Sequence, residues 1–270
     1  MPNLEKIFKF REGEENPEAV KPFLDHLEDL RWMLVKVAVT LFIGTAVAFV
    51  FRGPLVAVVQ HPLNLVDPLL IGRLQVFSVT DPIFIIFEVS FYAGIVITFP
   101  VLLFYVAQFV LPALNQRERK ILLPAIAASF SLFIVGVLFC YFFVLPRTLG
   151  FFFGLANSLG WAPNWRVRDY FAFVTQITLA FGLAFELPIV ILLLVYFRIL
   201  TSAFLRRTRP FAMVIVLCLA AAIAPTPDIV TFLSLGLPMC ILYEVCIWLG
   251  WFVERTRAKK EKALADISNP

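Results

Sequence analysis

Three glutamates lie inside long apolar segments of the sequence: Glu88, Glu186 and Glu244. Holding an ionised carboxylate near the centre of a bilayer costs roughly 3 kcal/mol or more, so an intramembrane acid usually faces protein or water and marks a working site. Glu186 is the one acidic or basic residue in residues 170–197. We predict that Glu186 and Glu244 are functional intramembrane polar residues. The alternative for Glu186 is a protonated side chain that hydrogen-bonds a neighbouring helix and only shapes the bundle.

A second group of acids borders the apolar segments. Glu28 and Asp29 precede the first apolar run, and Glu118 lies in the short connection between the second and the third. Carboxylates are natural partners of guanidinium groups, because the rigid donor fork of arginine fits both carboxylate oxygens. These acids therefore predict a site for a basic ligand. The alternative for Glu118 is that it only balances the basic residues on either side of it.

The sequence lacks the motifs of nucleotide hydrolysis and metal-dependent catalysis. It contains no phosphate-binding loop, no HExxH motif and no GxSxG motif. Its two histidines, His26 and His61, have no second ligand nearby, and its four cysteines lie in apolar runs without a CxxC pair. We therefore predict no enzymatic activity, no cofactor, no bound metal and no nucleic-acid partner. Any work must draw on an ion gradient or on partner proteins.

The composition is that of a membrane protein. Of the 270 residues, 61% are hydrophobic and 16% are charged, and the mean hydropathy is +0.89. These values exclude a single soluble globule. The first apolar run starts at Trp32 after a polar segment, and no small-residue cleavage pattern follows it. It therefore predicts a retained span and not a signal peptide.

Apolar runs predict an all-α polytopic fold with six transmembrane helices. These helices cover residues 32–51, 83–111, 121–145, 170–197, 210–224 and 229–252. The fifth is short, because 15 residues rise only about 22 Å, against about 30 Å of hydrocarbon. Local thinning of the bilayer or association with other helices can compensate for such a difference between helix length and bilayer thickness.

The polar segments have distinct characters. Residues 1–31 end in an apolar stripe at helical spacing, which predicts an amphipathic entry helix lying on the membrane surface. Residues 52–80 are interrupted by several prolines, including Pro62, and predict an ordered external loop. Residues 146–169 hold two tryptophans, typical of an interfacial loop. Residues 254–270 form a basic tail.

Lysine and arginine are distributed unequally between the two sides of the predicted bundle. The N-terminal segment, the second and fourth connections and the C-terminal tail together hold 18, whereas the three opposite loops hold five. Cytoplasmic segments carry the excess of basic residues in membrane proteins. The count predicts that both termini are cytoplasmic.

Five ordered motifs resemble those of TatC, the large membrane subunit of the twin-arginine protein translocase. Residues 26–31, HLEDLR, resemble the HLxELR entry motif of this family. The others have compatible spacing and are, in order, 109–114 (FVLPAL) with 118–120 (ERK), 139–146 (FCYFFVLP), 181–188 (FGLAFELP), and Arg209-Pro210 with Pro227-Asp228 and 242–244 (LYE). The similarity covers about residues 22–254.

The resemblance implies a signal-peptide receptor. In the family, an entry-motif acid and a loop glutamate receive the arginine pair of the signal, and the matching positions here are Asp29 and Glu118. Glu28, Arg31 and Phe109 belong to the same motifs. Since Glu28 and Asp29 are adjacent, which of them meets the arginines stays open.

The resemblance also implies the setting of the protein. It implies six helices in a cupped arrangement within the bacterial cytoplasmic (inner) membrane, and export of folded proteins driven by the proton-motive force. The implied partners are twin-arginine signal peptides, membrane lipid, and the single-span subunits TatA and TatB along spans five and six, with a homo-oligomer inside a larger complex. Pro62 and Asp228 are expected to shape the loops.

Two other functions fit part of the sequence. The three intramembrane glutamates would suit a small-solute secondary transporter, and this is the first alternative. An intramembrane enzyme is the second, and the sequence around Glu186 offers no second convergent polar group for it.

Overall fold

The computed structural model describes residues 23–110, 116–162, 164–197, 199–223 and 229–268. These residues form ten α-helices, with a 3-10 turn at Ile71–Arg73 and a π-helical turn at Cys140–Val144. The helices are α1 (Phe23–Val50), α2 (Arg52–Asn64), α3 (Asp81–Val110), α4 (Gln116–Phe139), α5 (Leu145–Ser158), α6 (Val167–Ala184), α7 (Leu187–Tyr196), α8 (Ser202–Arg207), α9 (Arg209–Ile223) and α10 (Ile229–Ser268).

Five helical stretches in the described ranges are long and apolar enough to cross a bilayer. They are Leu27–Val50, Asp81–Phe109, Leu123–Ser158, Val167–Tyr196 and Thr231–Arg257. The sixth apolar helix, α9, has only 15 residues, or about 22 Å of rise. The prediction of an all-α polytopic fold is confirmed. Helix α9 corresponds to the fifth predicted span, and it is short, as the sequence predicted.

The entry helix differs from the prediction. Helix α1 runs without interruption from Phe23 to Val50, so its amphipathic first turns continue directly into the first span. Helix α1 makes no turn at the membrane entry, where we expected the chain to turn into the bilayer. Its sequence contains no proline, and its one glycine, Gly44, lies deep in the span. Nothing in the backbone therefore ends the helix at the membrane entry.

Helix α2 occupies the first half of the segment that we predicted to be an external loop. Its prolines stand where a helix tolerates them: Pro54 lies in the first turn, and Pro62 lies close to the C-terminus. Pro62 has no N–H to offer to the carbonyl of Val58. The hydroxyl of Tyr141 donates to that carbonyl at 2.8 Å. Pro62 is thus a buried helical residue and not part of a loop.

A second tyrosine ties α2 to the bundle. Tyr170 is 4% exposed, and its hydroxyl donates to the carbonyl oxygen of Val59 at 2.8 Å. We expect Tyr170→Phe to lower the free energy of unfolding by about 1 to 2 kcal/mol, because a buried carbonyl loses a partner. Chemical unfolding of the purified protein in detergent measures this. Tyr105→Phe is the control, and an equal loss from both variants would contradict the role of the Tyr170 hydroxyl.

The third span also extends beyond its predicted end. The π-helical turn leads directly into α5, and the N–H of Leu145 donates to the carbonyl of Cys140. Pro146 follows inside the first turn of α5, where its missing N–H costs little. Most of the predicted interfacial loop at residues 146–169 is therefore helical.

The fourth span is interrupted where we predicted one transmembrane helix over residues 170–197. Helix α6 ends at Ala184, and α7 begins at Leu187, with Pro188 in its first turn. Since Pro188 lacks an N–H, it cannot bond the carbonyl four residues earlier, at Ala184. The interruption places Glu186 at a helix junction. At the C-terminal end, α10 continues to Ser268, so most of the predicted basic tail is helical.

Two glycines allow the long helices to approach closely. A Cβ at Gly94 of α3 would lie 2.7 Å from the backbone nitrogen of Thr45 in α1. A Cβ at Gly136 of α4 would lie 2.7 Å from the carbonyl oxygen of Phe181 in α6. Small residues at such crossings let backbones pack directly in a membrane, where no hydrophobic effect drives helices together.

Candidate functional site: the entry end of the bundle

The packing of α1 against α3 aligns two of the predicted site residues. The rings of Phe49 and Phe87 are 5.3 Å apart, and the close approach of Thr45 to Gly94 lies deeper along both helices. Residue numbers thus rise along α1 as they fall along α3, so the helices are antiparallel. Asp29 on α1 and Phe109 on α3 both lie about 24 Å from the contact between Thr45 and Gly94, at a rise of 1.5 Å per residue. The two residues are therefore level along the helix axes.

The packing of α3 against α4 brings Glu118 to the same end. The stacked rings of Phe99 and Phe133 have centroids 3.6 Å apart. From this contact, Phe109 is about 15 Å away along α3, and Glu118 is about 22 Å away along α4 in the same direction. The backbone of Glu118 therefore lies at the end of the bundle that holds Phe109, about 7 Å further along the axis.

The entry residues differ in exposure. Glu28 and Arg31 are exposed, whereas Asp29 and Phe109 are partly buried. Glu118 belongs to the first turns of α4, and its side chain lies outside the described residues. The structure thus places these positions at one end of α1, α3 and α4.

Glu186 has a partner that the sequence did not indicate. The hydroxyl of Ser129 in α4 donates to Glu186 Oε2, 57 residues away in sequence. The other carboxylate oxygen, Oε1, is buried without a hydrogen-bond partner in the described part of the chain. Glu186 therefore joins the α6–α7 junction to α4 and keeps one oxygen available for a further donor.

Glu244 is paired across the last two membrane helices. Arg209 Nε lies 2.5 Å from Glu244 Oε1, which makes an ion pair between the two side chains. Residue 209 begins α9, and residue 244 lies inside α10. The pair thus holds the start of the short helix against its neighbour. Asp228 lies outside the described residues.

The intramembrane glutamates do not form one site. Glu88 of α3 has Arg168 and Thr175 of α6 as its polar neighbours, Glu186 bonds α4, and Glu244 pairs with α9. Each carboxylate therefore has its polar neighbour on a different pair of helices. This arrangement gives no support to a single polar solute site at the centre of the bundle.

An ionic cluster at the opposite end was missed at the level of sequence. Asp81 begins α3, and its side chain is fully buried. Arg166 Nε lies 3.9 Å from one of its oxygens, and Arg168 Nη1 lies 3.8 Å from the other. The N–H of Ser78 also donates to it at 3.0 Å. The two arginines are more than 80 residues from Asp81 in sequence, so no local pattern indicates the cluster.

We expect Asp81→Ala to lower the free energy of unfolding by about 1 to 2 kcal/mol. The buried carboxylate compensates two arginines, but these are about half exposed, and solvent screens their interaction with it. Thermal unfolding in detergent tests this. Asp169→Asn, which changes an exposed acid in the first turn of α6, is the matched control. Equal stability of Asp81→Ala and the unmodified chain would contradict the structural role of the cluster.

Comparison with known proteins agrees with the geometry. The family model for TatC, the Sec-independent protein translocase protein, matches residues 25–238. The TatC of Aquifex aeolicus is 34% identical over 243 residues, which cover 90% of this chain and 100% of that protein. The TatC of Akkermansia muciniphila is 43% identical over 194 residues, 71% of this chain, and the match spans only 56% of that relative's length.

A solved structure is similar over most of both chains. The crystal structure of the twin-arginine translocase receptor TatC has a TM-score of 0.73 and 34% identity, covering 84% of this chain and 98% of that one. A second crystal structure, in the detergent DDM, has a TM-score of 0.76. This multi-pass membrane chain therefore belongs to the TatC family of Sec-independent protein translocase proteins.

Proposed function

We propose that this chain is the signal-peptide receptor and core membrane subunit of a twin-arginine translocase. The observation that carries the proposal is the convergence of Asp29, Phe109 and Glu118 at one end of the bundle, which follows from the ring and backbone contacts between α1, α3 and α4. It also fits membership in a family of protein translocases. The small-solute transporter has no such support.

The chemistry of recognition follows from the geometry. Two adjacent arginines in an extended peptide point to opposite sides of its backbone. One arginine can therefore reach an acid on α1 while the other reaches Glu118 on α4. Guanidinium groups bind carboxylates bidentately, which selects arginine over lysine. Phe109 belongs to α3, which packs against both α1 and α4, and it offers an apolar surface to the segment that follows the arginines.

The setting completes the proposal. The excess of basic residues supports a cytoplasmic position for the entry end, and we propose that the membrane is the bacterial inner membrane. Export of folded cargo would then draw on the proton-motive force. The exposed apolar faces of α9 and α10 are the proposed contacts of the single-span subunits TatA and TatB, within a complex that holds several copies of this chain.

Site-specific photocrosslinking tests the receptor assignment. A photoreactive residue at position 29 or 118 is expected to capture a signal peptide with its arginine pair and to lose it when both arginines are glutamine. Position 67, in the external segment, is the control. Equal capture of both peptides at positions 29 and 118, or strong capture at position 67, would contradict the proposal.

A further inference from the structure

Five arginines gather where α8, α9 and α10 meet. Arg206 and Arg207 end α8, Arg209 begins α9, and Arg255 and Arg257 belong to α10. Four of them are exposed, and Arg257 is partly buried. We call these five residues the arginine corner. They lie at the same end of the last membrane helices as the interfacial part of α10.

Hydrogen bonds between α8 and α10 fix the position of the arginine corner. The backbone N–H of Ser202 donates to Glu254 Oε1 at 2.9 Å, and its hydroxyl donates to Glu254 Oε2. The hydroxyl of Tyr243 donates to the carbonyl of Leu205 at 3.0 Å. Leu205 is 4% exposed. The short helix α8 is therefore held firmly on α10, which keeps Arg206 and Arg207 at the surface.

The arginine corner keeps a net positive charge. Glu244 pairs with Arg209. Glu254 accepts hydrogen bonds from Ser202 and keeps its own negative charge, so these two carboxylates offset two of the five positive charges. Arg257 donates to the carbonyl of Tyr196 at 3.0 Å. Among the described residues, no carboxylate forms an ion pair with the three remaining arginines, Arg206, Arg207 and Arg255. Three guanidinium groups thus face outward with their donors available.

Aromatic residues place the arginine corner at the depth of the lipid headgroups. Trp248, Trp251 and Arg255 follow Glu244 at intervals of four, three and four residues, so they share one face of α10. Trp248 is 70% exposed, and Trp251 is 37% exposed. The Arg255 guanidinium stacks over the Trp251 ring at 5.0 Å. Tryptophan concentrates at membrane interfaces, so we expect the guanidinium groups to lie at the depth of the lipid phosphates.

We propose that the arginine corner binds the phosphodiester headgroup of an anionic phospholipid, such as phosphatidylglycerol. Clusters of basic residues immediately next to a membrane helix attract anionic lipids, at about 1 kcal/mol per residue. Arg206, Arg207 and Arg255 hold the phosphate, and the exposed tryptophans contact the acyl chains. The bound lipid anchors the connection between the fourth and fifth spans at the membrane surface. This site is separate from the signal-peptide entry.

Lipid binding by the full-length chain tests this proposal without a signal peptide. The probes are phosphatidylglycerol and phosphatidylcholine, titrated into detergent-purified protein and followed by native mass spectrometry and by thermal stabilisation. We expect phosphatidylglycerol to bind more tightly than phosphatidylcholine. We also expect the binding of phosphatidylglycerol to weaken as the salt concentration is raised. The triple variant R206Q, R207Q and R255Q should weaken it by roughly a hundredfold.

The matched control removes the same charge elsewhere. The triple variant R52Q, R73Q and R147Q changes three arginines of the external segments, and it should change phosphatidylglycerol binding by less than about threefold. R206K, R207K and R255K, which keep the charge, should retain most of the binding. Equal weakening by the two glutamine variants, equal affinity for both lipids, or salt-insensitive binding to the unmodified chain would each overturn the proposal.

Discussion

Glu118→Arg is expected to weaken binding of a twin-arginine signal peptide by about thirtyfold or more. The substitution replaces an attractive carboxylate with a repelling guanidinium, and truncating or reversing one partner of a close charge pair costs about 2 to 5 kcal/mol. Assembly in the membrane should be unaffected, because residue 118 lies in the first turns of α4, far from the glycine crossing at Gly136. Peptide affinity for the protein in nanodiscs measures the effect.

The control for this prediction reverses a charge at the other end of the bundle. Asp169 is an exposed acid in the first turn of α6, and Asp169→Arg should leave peptide affinity within about twofold, since the change is more than a screening length away. Unchanged peptide affinity of the Glu118→Arg variant would show that residue 118 is not part of the signal-peptide site. Equal losses from both variants would show that the effect is one of net charge.

Gly136→Ala is expected to lower the free energy of unfolding by about 2 to 3 kcal/mol. The added methyl group would lie 2.7 Å from the carbonyl oxygen of Phe181 and 2.8 Å from the ring of Phe185. Backbone cannot move aside as a flexible side chain can, so α4 and α6 must separate and lose packing. Because Phe185 precedes Glu186, the separation should also weaken the hydrogen bond from Ser129.

Gly154→Ala is the matched control for Gly136→Ala. Both positions are helical, but a Cβ at Gly154 meets no atom within 4 Å. Replacing glycine by alanine in an open helical position is neutral or slightly stabilising. Chemical unfolding in detergent compares the two variants. Equal stability of both would mean that α4 and α6 do not depend on the glycine contact.

Hydropathy and motifs predicted the class of this protein well, because both act over many residues. A continuous apolar run must become a helix in a bilayer, where every backbone polar group needs an internal partner. The fifth span, predicted at 210–224, therefore appears as Arg209–Ile223. The entry site could also be proposed from the sequence, since its acids stand in recognisable motifs next to helix ends, and its role stays a prediction.

Prolines were the main source of error. We treated Pro54 and Pro62 as signs of a loop, yet Pro54 lies in the first turn of α2, where no helical donor is lost. Pro62 does leave the Val58 carbonyl without its helical donor, and the hydroxyl of Tyr141 replaces it. In the fourth span, by contrast, we expected a continuous helix, and Pro188 accompanies its interruption. The effect of a proline depends on which carbonyl loses its hydrogen-bond donor. It also depends on whether another donor, such as the Tyr141 hydroxyl, takes the place of the missing N–H.

Long-range partners could not be predicted from one sequence. Ser129 and Glu186 are 57 residues apart, and Asp81 meets Arg166 and Arg168 only because α3 packs against α6. Serine and arginine are common enough that no local pattern marks these particular ones. Such pairs become visible only when the register of the helices is known.

The most direct test of the receptor assignment is a double comparison of site and ligand. Affinities are measured in nanodiscs for a signal peptide with its arginine pair and for the same peptide with two glutamines, using the unmodified chain and the double variant D29N and E118Q. The assignment predicts strong preference for the arginine peptide by the unmodified chain and equal, weak binding of both peptides by the variant. Undiminished preference in the variant would contradict it.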